Sequence, residues 1–128
     1  MLSGLKILVV DDDPDILEVL LEDFKDNGFL VQIAHSVSKA KDILSQQEID
    51  IVLSDNYLSD GSGEELLSLT QDRGPKTTFY FMTGDLDLAE KELQGKGAQG
   101  VFIKPFLVEG ILGTLIEDLS NGKAKDQD

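Results

Sequence analysis

Short β-rich runs alternate five times along this chain with stretches of helical period, and that alternation restricts the fold more than any single residue does. The first run, Lys6-Ile7-Leu8-Val9-Val10, is apolar on both alternating sides, as expected of a strand covered on two faces, and a strand is predicted over residues 5–10. Asp13-Pro14 then opens a helix, with Asp13 as N-cap and Pro14 at the first helical position, where its missing N–H costs nothing. Ile16, Leu17, Leu20 and Phe24 form the apolar stripe, and Asn27-Gly28 stops it. The unit then recurs. A strand over 29–34 precedes a helix marked by Val37, Ala40 and Leu44, and a strand over 49–54 precedes Gly61-Ser62-Gly63 and a helix carrying Leu66, Leu67 and Thr70. Arg73-Gly74-Pro75 breaks that helix, and a fourth strand over 77–82 leads to a shorter helix using Leu86, Ala89 and Leu93. A fifth strand over 100–103 and a helix with Val108, Ile111, Leu112, Leu115 and Leu119 complete the series.

Five strands alternating with five helices imply an α/β domain with a parallel sheet covered on both faces. A closed eight-stranded barrel needs about twice this length, so an open doubly wound sheet is expected. The 128 residues suit a single domain, taken here as 1–120, followed by a polar, aperiodic tail or linker stump over 121–128. In such sheets ligands bind beyond the carboxyl ends of the strands, so those ends are where chemistry is sought.

Composition removes several classes of function. The absence of Cys excludes disulfides, thiol nucleophiles and thiolate zinc sites. A formal charge of −14 repels phosphate backbones and acidic headgroups, so neither nucleic acid nor a membrane surface is an expected partner. No long apolar run or signal-type leader is seen, and a cytoplasmic location is expected.

The predicted strand ends carry polar groups: Asp11-Asp12-Asp13 after the first, Asp55 after the third, Thr83-Gly84 after the fourth and Lys104-Pro105 after the fifth. Helix capping and dipole complementarity account for Asp13 and Asp15. They do not account for Asp11, Asp12 and Asp55, which would repel one another in a shared cleft. A hard divalent cation resolves the repulsion, because carboxylates, a carbonyl and waters are what Mg²⁺, or Mn²⁺ in its place, prefers. With Lys104 opposite, the formal charges cancel, and such a site can accept a phosphoryl group on a carboxylate nucleophile.

These residues carry a resemblance. Ile7-Leu8-Val9-Val10-Asp11-Asp12-Asp13-Pro14, Asp50-Ile51-Val52-Leu53-Ser54-Asp55, Phe81-Met82-Thr83-Gly84 and Phe102-Ile103-Lys104-Pro105-Phe106 occur in the order and on the elements of a response-regulator receiver domain of two-component signalling. The resemblance covers residues 5–120 and implies a CheY-like, flavodoxin-like (βα)5 fold with strand order 2-1-3-4-5. It implies that Asp55 is phosphorylated by a histidine kinase or phosphotransfer protein, and that the site slowly hydrolyses its own aspartyl phosphate without being a turnover enzyme. It further implies that Asp12 and Asp55 bind Mg²⁺ directly, that Tyr57 contributes its backbone carbonyl, and that Asp11 acts through metal-bound water. Thr83 would hydrogen-bond a phosphoryl oxygen, Lys104 would ion-pair with it, and Lys104-Pro105 would be cis. A downstream protein or output domain, and pairing of two copies through the fourth helix, fifth strand and fifth helix, belong to the same expectation.

The chain also departs from the family pattern. Leu58-Ser59 stands where the family has Met-Pro, which leaves the loop after the third strand less restricted, and Asp60-Gly61-Ser62-Gly63 keeps only the closing glycine. Val101 replaces an aromatic residue that turns inward when the switch hydroxyl moves, and Phe102 points to the opposite side of the strand. A smaller or differently built rearrangement of the output face is therefore expected. Tyr57 and Asp85 occupy the two positions that flank the phosphoryl group in the family, which implies an influence on its lifetime. His35 is expected at the surface, Phe79, Tyr80 and Phe81 in strand packing, and Glu64 and Glu65 on a solvated helix face. Three other functions compete. A magnesium-dependent phosphohydrolase would need a Gly-Thr-like turn and a cap that the chain lacks, and a phosphorylation-independent interaction domain would not need the acids. A nucleotide or flavin carrier would need a Gly-rich loop after the first strand.

Overall fold

The structure, a computed structural model, describes residues 4–72, 76–85 and 97–126. In chain order its elements are β1 (Lys6–Val10), α1 (Pro14–Asp26), β2 (Leu30–Ala34), α2 (Val37–Gln46), β3 (Ile51–Asp55), β4 (Tyr57–Leu58), β5 (Gly61–Ser62), α3 (Gly63–Asp72), β6 (Thr78–Thr83), β7 (Gly100–Ile103) and α4 (Val108–Asp126). Five strands form one parallel sheet in the order β2-β1-β3-β6-β7, which is the expected doubly wound order once the small β4–β5 hairpin is set aside.

The strand alternation divides the core into two layers. Leu8, Val10, Val52, Phe79 and Phe81 face α2 and α3, whereas Ile7, Val9, Ile51, Leu53, Tyr80 and Met82 face α1 and α4. Each such side chain contributes about 1.5–3 kcal/mol by leaving water, so the strands are anchored from both sides. Among the described residues, no helix is long and apolar enough to cross a membrane.

Local chemistry sets the helix ends. Asp13 is extended at φ −90° and its carboxylate accepts from Asp15 N at 2.9 Å, with Pro14 following at the first helical position. Ser36 caps α2 by accepting from Lys39 N at 3.1 Å. Gly28, at φ +92°, takes the left-handed conformation that ends α1, and Phe29 N returns to Phe24 O at 3.1 Å.

Several boundaries shift. The second strand starts at Leu30, because Phe29 closes the turn after α1. The third runs over Ile51–Asp55, so Asp55 is its last residue rather than the one after it. The fourth runs one residue later than predicted and includes Thr83. The β4–β5 hairpin was not predicted, since two-residue strands show no periodicity. The last helix continues to Asp126, through Lys123-Ala124-Lys125, where a polar tail was expected; these are good helix formers and need no apolar stripe to extend an existing helix. Arg73-Gly74-Pro75 and the short helix expected around Leu86, Ala89 and Leu93 lie outside the described residues.

Candidate functional site

Register brings the site together. Val10 pairs with Ser54, so the residues that follow, Asp11 and Asp55, leave adjacent parallel strands side by side. On the other flank of β3, Asp55 pairs with Met82, and Thr83 pairs with Ile103 one strand further out. Lys104 N donates to Thr83 O at 2.8 Å, which continues the β6–β7 ladder and turns the lysine toward the acids. The Lys104-Pro105 peptide is cis, as the resemblance implied.

Lys104 Nζ donates to Asp11 Oδ2 at 2.8 Å and to Asp55 Oδ2 at 2.9 Å. Backbone donors occupy the other carboxylate oxygens: Asp13 N donates to Asp11 Oδ1 at 2.9 Å and Tyr57 N to Asp55 Oδ1 at 3.1 Å. The Asp11 side chain is fully buried, whereas the Asp55 side chain is 12% and that of Lys104 22% exposed. Burial pushes the Lys104 ammonium toward a lower pKa, but its hydrogen bonds to Asp11 and Asp55, together with their charges, outweigh that effect and hold it above the ordinary lysine value.

Asp12 is exposed, and one carboxylate oxygen from each of Asp11, Asp12 and Asp55 lies within 4.8 Å of the others. Three hard oxygen donors at this spacing, two of them carried on buried strand ends, fit a divalent cation of the Mg²⁺, Mn²⁺ or Ca²⁺ kind. Thr83 is buried, and its Oγ1 accepts from Asp85 N at 3.1 Å, which leaves the hydroxyl hydrogen able to donate. Tyr57 opens the hairpin and is 59% exposed, and Asp85 and His35 are exposed as well.

Val101 packs on the α2–α3 side of the sheet. Phe102 stacks on Tyr80 on the other side, with ring centroids 5.5 Å apart, so the two residues point apart as alternation required.

Other contacts were not foreseen. Asp60 reaches from the hairpin turn to the start of α2, accepting from Val37 N and Ser38 N. Gly63 sits so close to β3 that a Cβ there would lie 2.6 Å from Asp55 O. Tyr80 donates its hydroxyl to Asp118 Oδ2 at 2.8 Å. The Asp-Gly pair at 60–61 signalled a turn, but nothing local pointed to a helix 23 residues away.

Comparison with known proteins agrees with this architecture. A sequence model described as the response regulator receiver domain matches residues 7–116. The response regulator protein PilR of Pseudomonas aeruginosa is 36% identical over 106 residues, which cover 81% of this chain and 24% of PilR. The chain thus spans about a quarter of the length of that relative. A CheY-like response regulator receiver domain protein from Methanospirillum hungatei superposes with a TM-score of 0.86 at 26% identity, over 96% of this chain and 99% of its own. A response regulator from Burkholderia pseudomallei, solved with a phosphorylated aspartic acid, a calcium ion and citrate, superposes with a TM-score of 0.79 at 25% identity, over 96% of this chain and 73% of its own. Sheet order, strand-end acids and these likenesses agree: the chain belongs to the response regulator receiver domain family.

Proposed function

We propose that Asp55 is the phosphoacceptor of a two-component phosphorelay, charged by a histidine kinase or phosphotransfer protein and read by a partner or output domain. The observation that carries this reading is the convergence of Asp11, Asp12 and Asp55 beside Lys104, with Thr83 at the end of the neighbouring strand. An Asp55 carboxylate oxygen attacks the phosphorus of a phosphohistidine, the P–N bond breaks, the imidazole takes a proton, and a mixed anhydride remains on Asp55. Lys104 exchanges its bond to Asp55 for one to a phosphoryl oxygen, and the Thr83 hydroxyl donates to another. Asp12, Asp55 and the Tyr57 carbonyl would hold Mg²⁺ directly and Asp11 would hold it through water. When bound, the ion neutralises charge on the acids and on the phosphoryl oxygens.

The phosphorylated aspartic acid and calcium ion of the Burkholderia pseudomallei relative support the same chemistry here. In this reading the chain is no turnover enzyme on an outside substrate, works in the cytoplasm, and acts as a receiver unit over 1–120. With Val101 in place of a ring, the conformational response of the output face is smaller or differently built.

Intact mass after incubation with Mg²⁺ and a small acyl phosphate or phosphoramidate tests the proposal. One phosphoryl adduct on the parent is expected, and it should be lost in Asp55→Asn and in chelator. No adduct from any of several donors would overturn the proposal in favour of a phosphorylation-independent interaction domain.

A further inference from the structure

Along its own sequence the loop after Asp55 is lightly restrained, by the buried Leu58 and by Ser62 N donating to Glu65 Oε1 at 3.3 Å. Its hairpin has two residue pairs, Tyr57 with Ser62 and Leu58 with Gly61, too few to hold a shape in water unaided. Ser59 occupies the turn where a proline would narrow the backbone, and it brings no ring to do so. The base of the loop is tied by Tyr57 N to Asp55 Oδ1 at 3.1 Å and by Gly63 N to Asn56 O at 2.9 Å.

The tip is tied by Asp60. Its Oδ1 accepts from Val37 N at 2.8 Å and its Oδ2 from Ser38 N at 3.0 Å, the first two residues of α2. Those N–H groups are among the four that a helix start leaves unpaired, and they carry its positive dipole end. Ser36 already caps the helix through Lys39 N, so α2 has its own start signal and Asp60 is a second clamp brought from outside. Hydrogen bonds from Ser38 N and Val37 N hold the exposed Asp60 carboxyl below its ordinary range, which keeps it ionised.

We infer that Asp60 is a positioning residue for the metal site: by fastening the hairpin tip to α2 it fixes the loop that carries the Tyr57 carbonyl beside Asp12 and Asp55. A charged side chain bound to a helix start thereby takes the place of a proline ring. This rests on the proposed function, because the Tyr57 carbonyl matters only if a divalent ion is shared there.

The test is the Mg²⁺ dependence of phosphorylation by acetyl phosphate on the full chain, with Mg²⁺ calorimetry in parallel. Asp60→Ala should raise the half-saturating Mg²⁺ about tenfold, the scale on which outer partners of metal ligands act, while the rate at saturating Mg²⁺ stays within about twofold. Asp60→Asn, which keeps one uncharged carbonyl acceptor and puts a donor where the second acceptor stood, should fall between. Ser36→Ala removes the helix's own cap and leaves the hairpin fastened, so its Mg²⁺ requirement should match the parent. Ser59→Pro in the Asp60→Ala background should bring the requirement back toward the parent, since the first corner of such a turn accepts proline and no non-glycine residue among those described has positive φ.

The inference is overturned if Asp60→Ala keeps the parent's requirement, if Ser36→Ala shifts it equally, or if the added proline restores nothing. A parent that takes no phosphoryl group would count against the proposed function alone, and the calorimetric comparison of parent and Asp60→Ala would still decide the role of Asp60.

Discussion

Strands β1 and β3 carry the acids and β7 carries the lysine, and the two regions are built differently. Every residue of β3, and every residue of β1 after Lys6, is buried, and each strand is paired on both sides. β7 is paired only with β6 among the described residues, half-buried over Gly100–Phe102, and exposed at Ile103. The groups that repel one another are thus held by the most constrained part of the sheet. The group that reconciles them comes from an edge strand. Repulsion between Asp11 and Asp55 can be sustained only where neither strand can retreat, whereas the cation must be able to change partners.

Removing the cation breaks this arrangement most severely. Lys104→Met leaves Asp11 and Asp55 facing each other without a counter-charge and should cost about 3 kcal/mol, at the low end for a broken buried pair because the ammonium reaches solvent. Thermal melts with and without Mg²⁺ check it. The ion should raise the midpoint of Lys104→Met by more than that of the parent, since binding to the folded state alone stabilises it. Equal Mg²⁺ shifts would mean that lysine and metal do not compensate the same charges.

A pair of glycine substitutions sharpens the contrast. A Cβ on Gly63 would lie 2.6 Å from Asp55 O, 3.0 Å from Phe81 Cε1 and 3.1 Å from Ser54 Oγ, whereas one on Gly100 would lie 3.5 Å from Tyr80 Cδ2 in ordinary contact. Gly63→Ala should therefore cost about 2 kcal/mol by displacing the end of β3. Gly100→Ala should be neutral or gain about 0.5 kcal/mol from a less flexible unfolded chain. Denaturant midpoints for the two variants decide it; similar losses at both sites would remove the claimed difference in constraint.

An effect smaller than that of Gly63→Ala concerns the bond that ties β6 to α4. Tyr80→Phe should lose about 1 kcal/mol with the hydrogen bond to Asp118. Burial, and then the Asp118 hydrogen bond and charge, raise the Tyr80 phenol above its ordinary value of 10.0. A raised value in the folded state means that the folded protein holds the proton more tightly, so this contribution is complete below pH 10.0 and declines as the pH climbs above it. Unfolding measured from pH 8 to 11 should show the decline to be steeper in the parent than in Tyr80→Phe; identical slopes would mean that the phenol is not protected.

Much of the central region was legible in the sequence. Apolar runs such as Ile7 to Val10 and Ile51 to Leu53 have no other economical placement than a doubly covered strand, and acids directly after them must emerge at one sheet edge. The assembly of Asp11, Asp12, Asp55 and Lys104 follows from that geometry. What stayed hidden depends on distance along the chain. The Asp60 clamp spans 23 residues and the Tyr80–Asp118 bond 38, and neither leaves a local trace. The β4–β5 pairing was invisible for a different reason, since a two-residue strand is shorter than any period. The final helix outran its expected end because helix propagation adds one bond per residue to a structure already nucleated, whatever the polarity of the added residues.

The two hydrogen bonds donated by Lys104 carry a further consequence. Its ammonium is fastened to Asp11 as well as to Asp55, so loss of the second tie does not set it free. In the proposed reaction the lysine has no search to make: its chain is already ordered, and the arriving oxygen inherits a donor standing within reach. The entropic cost of organising that donor was met when the sheet folded, and what remains for phosphorylation is an exchange of acceptors around a fixed post.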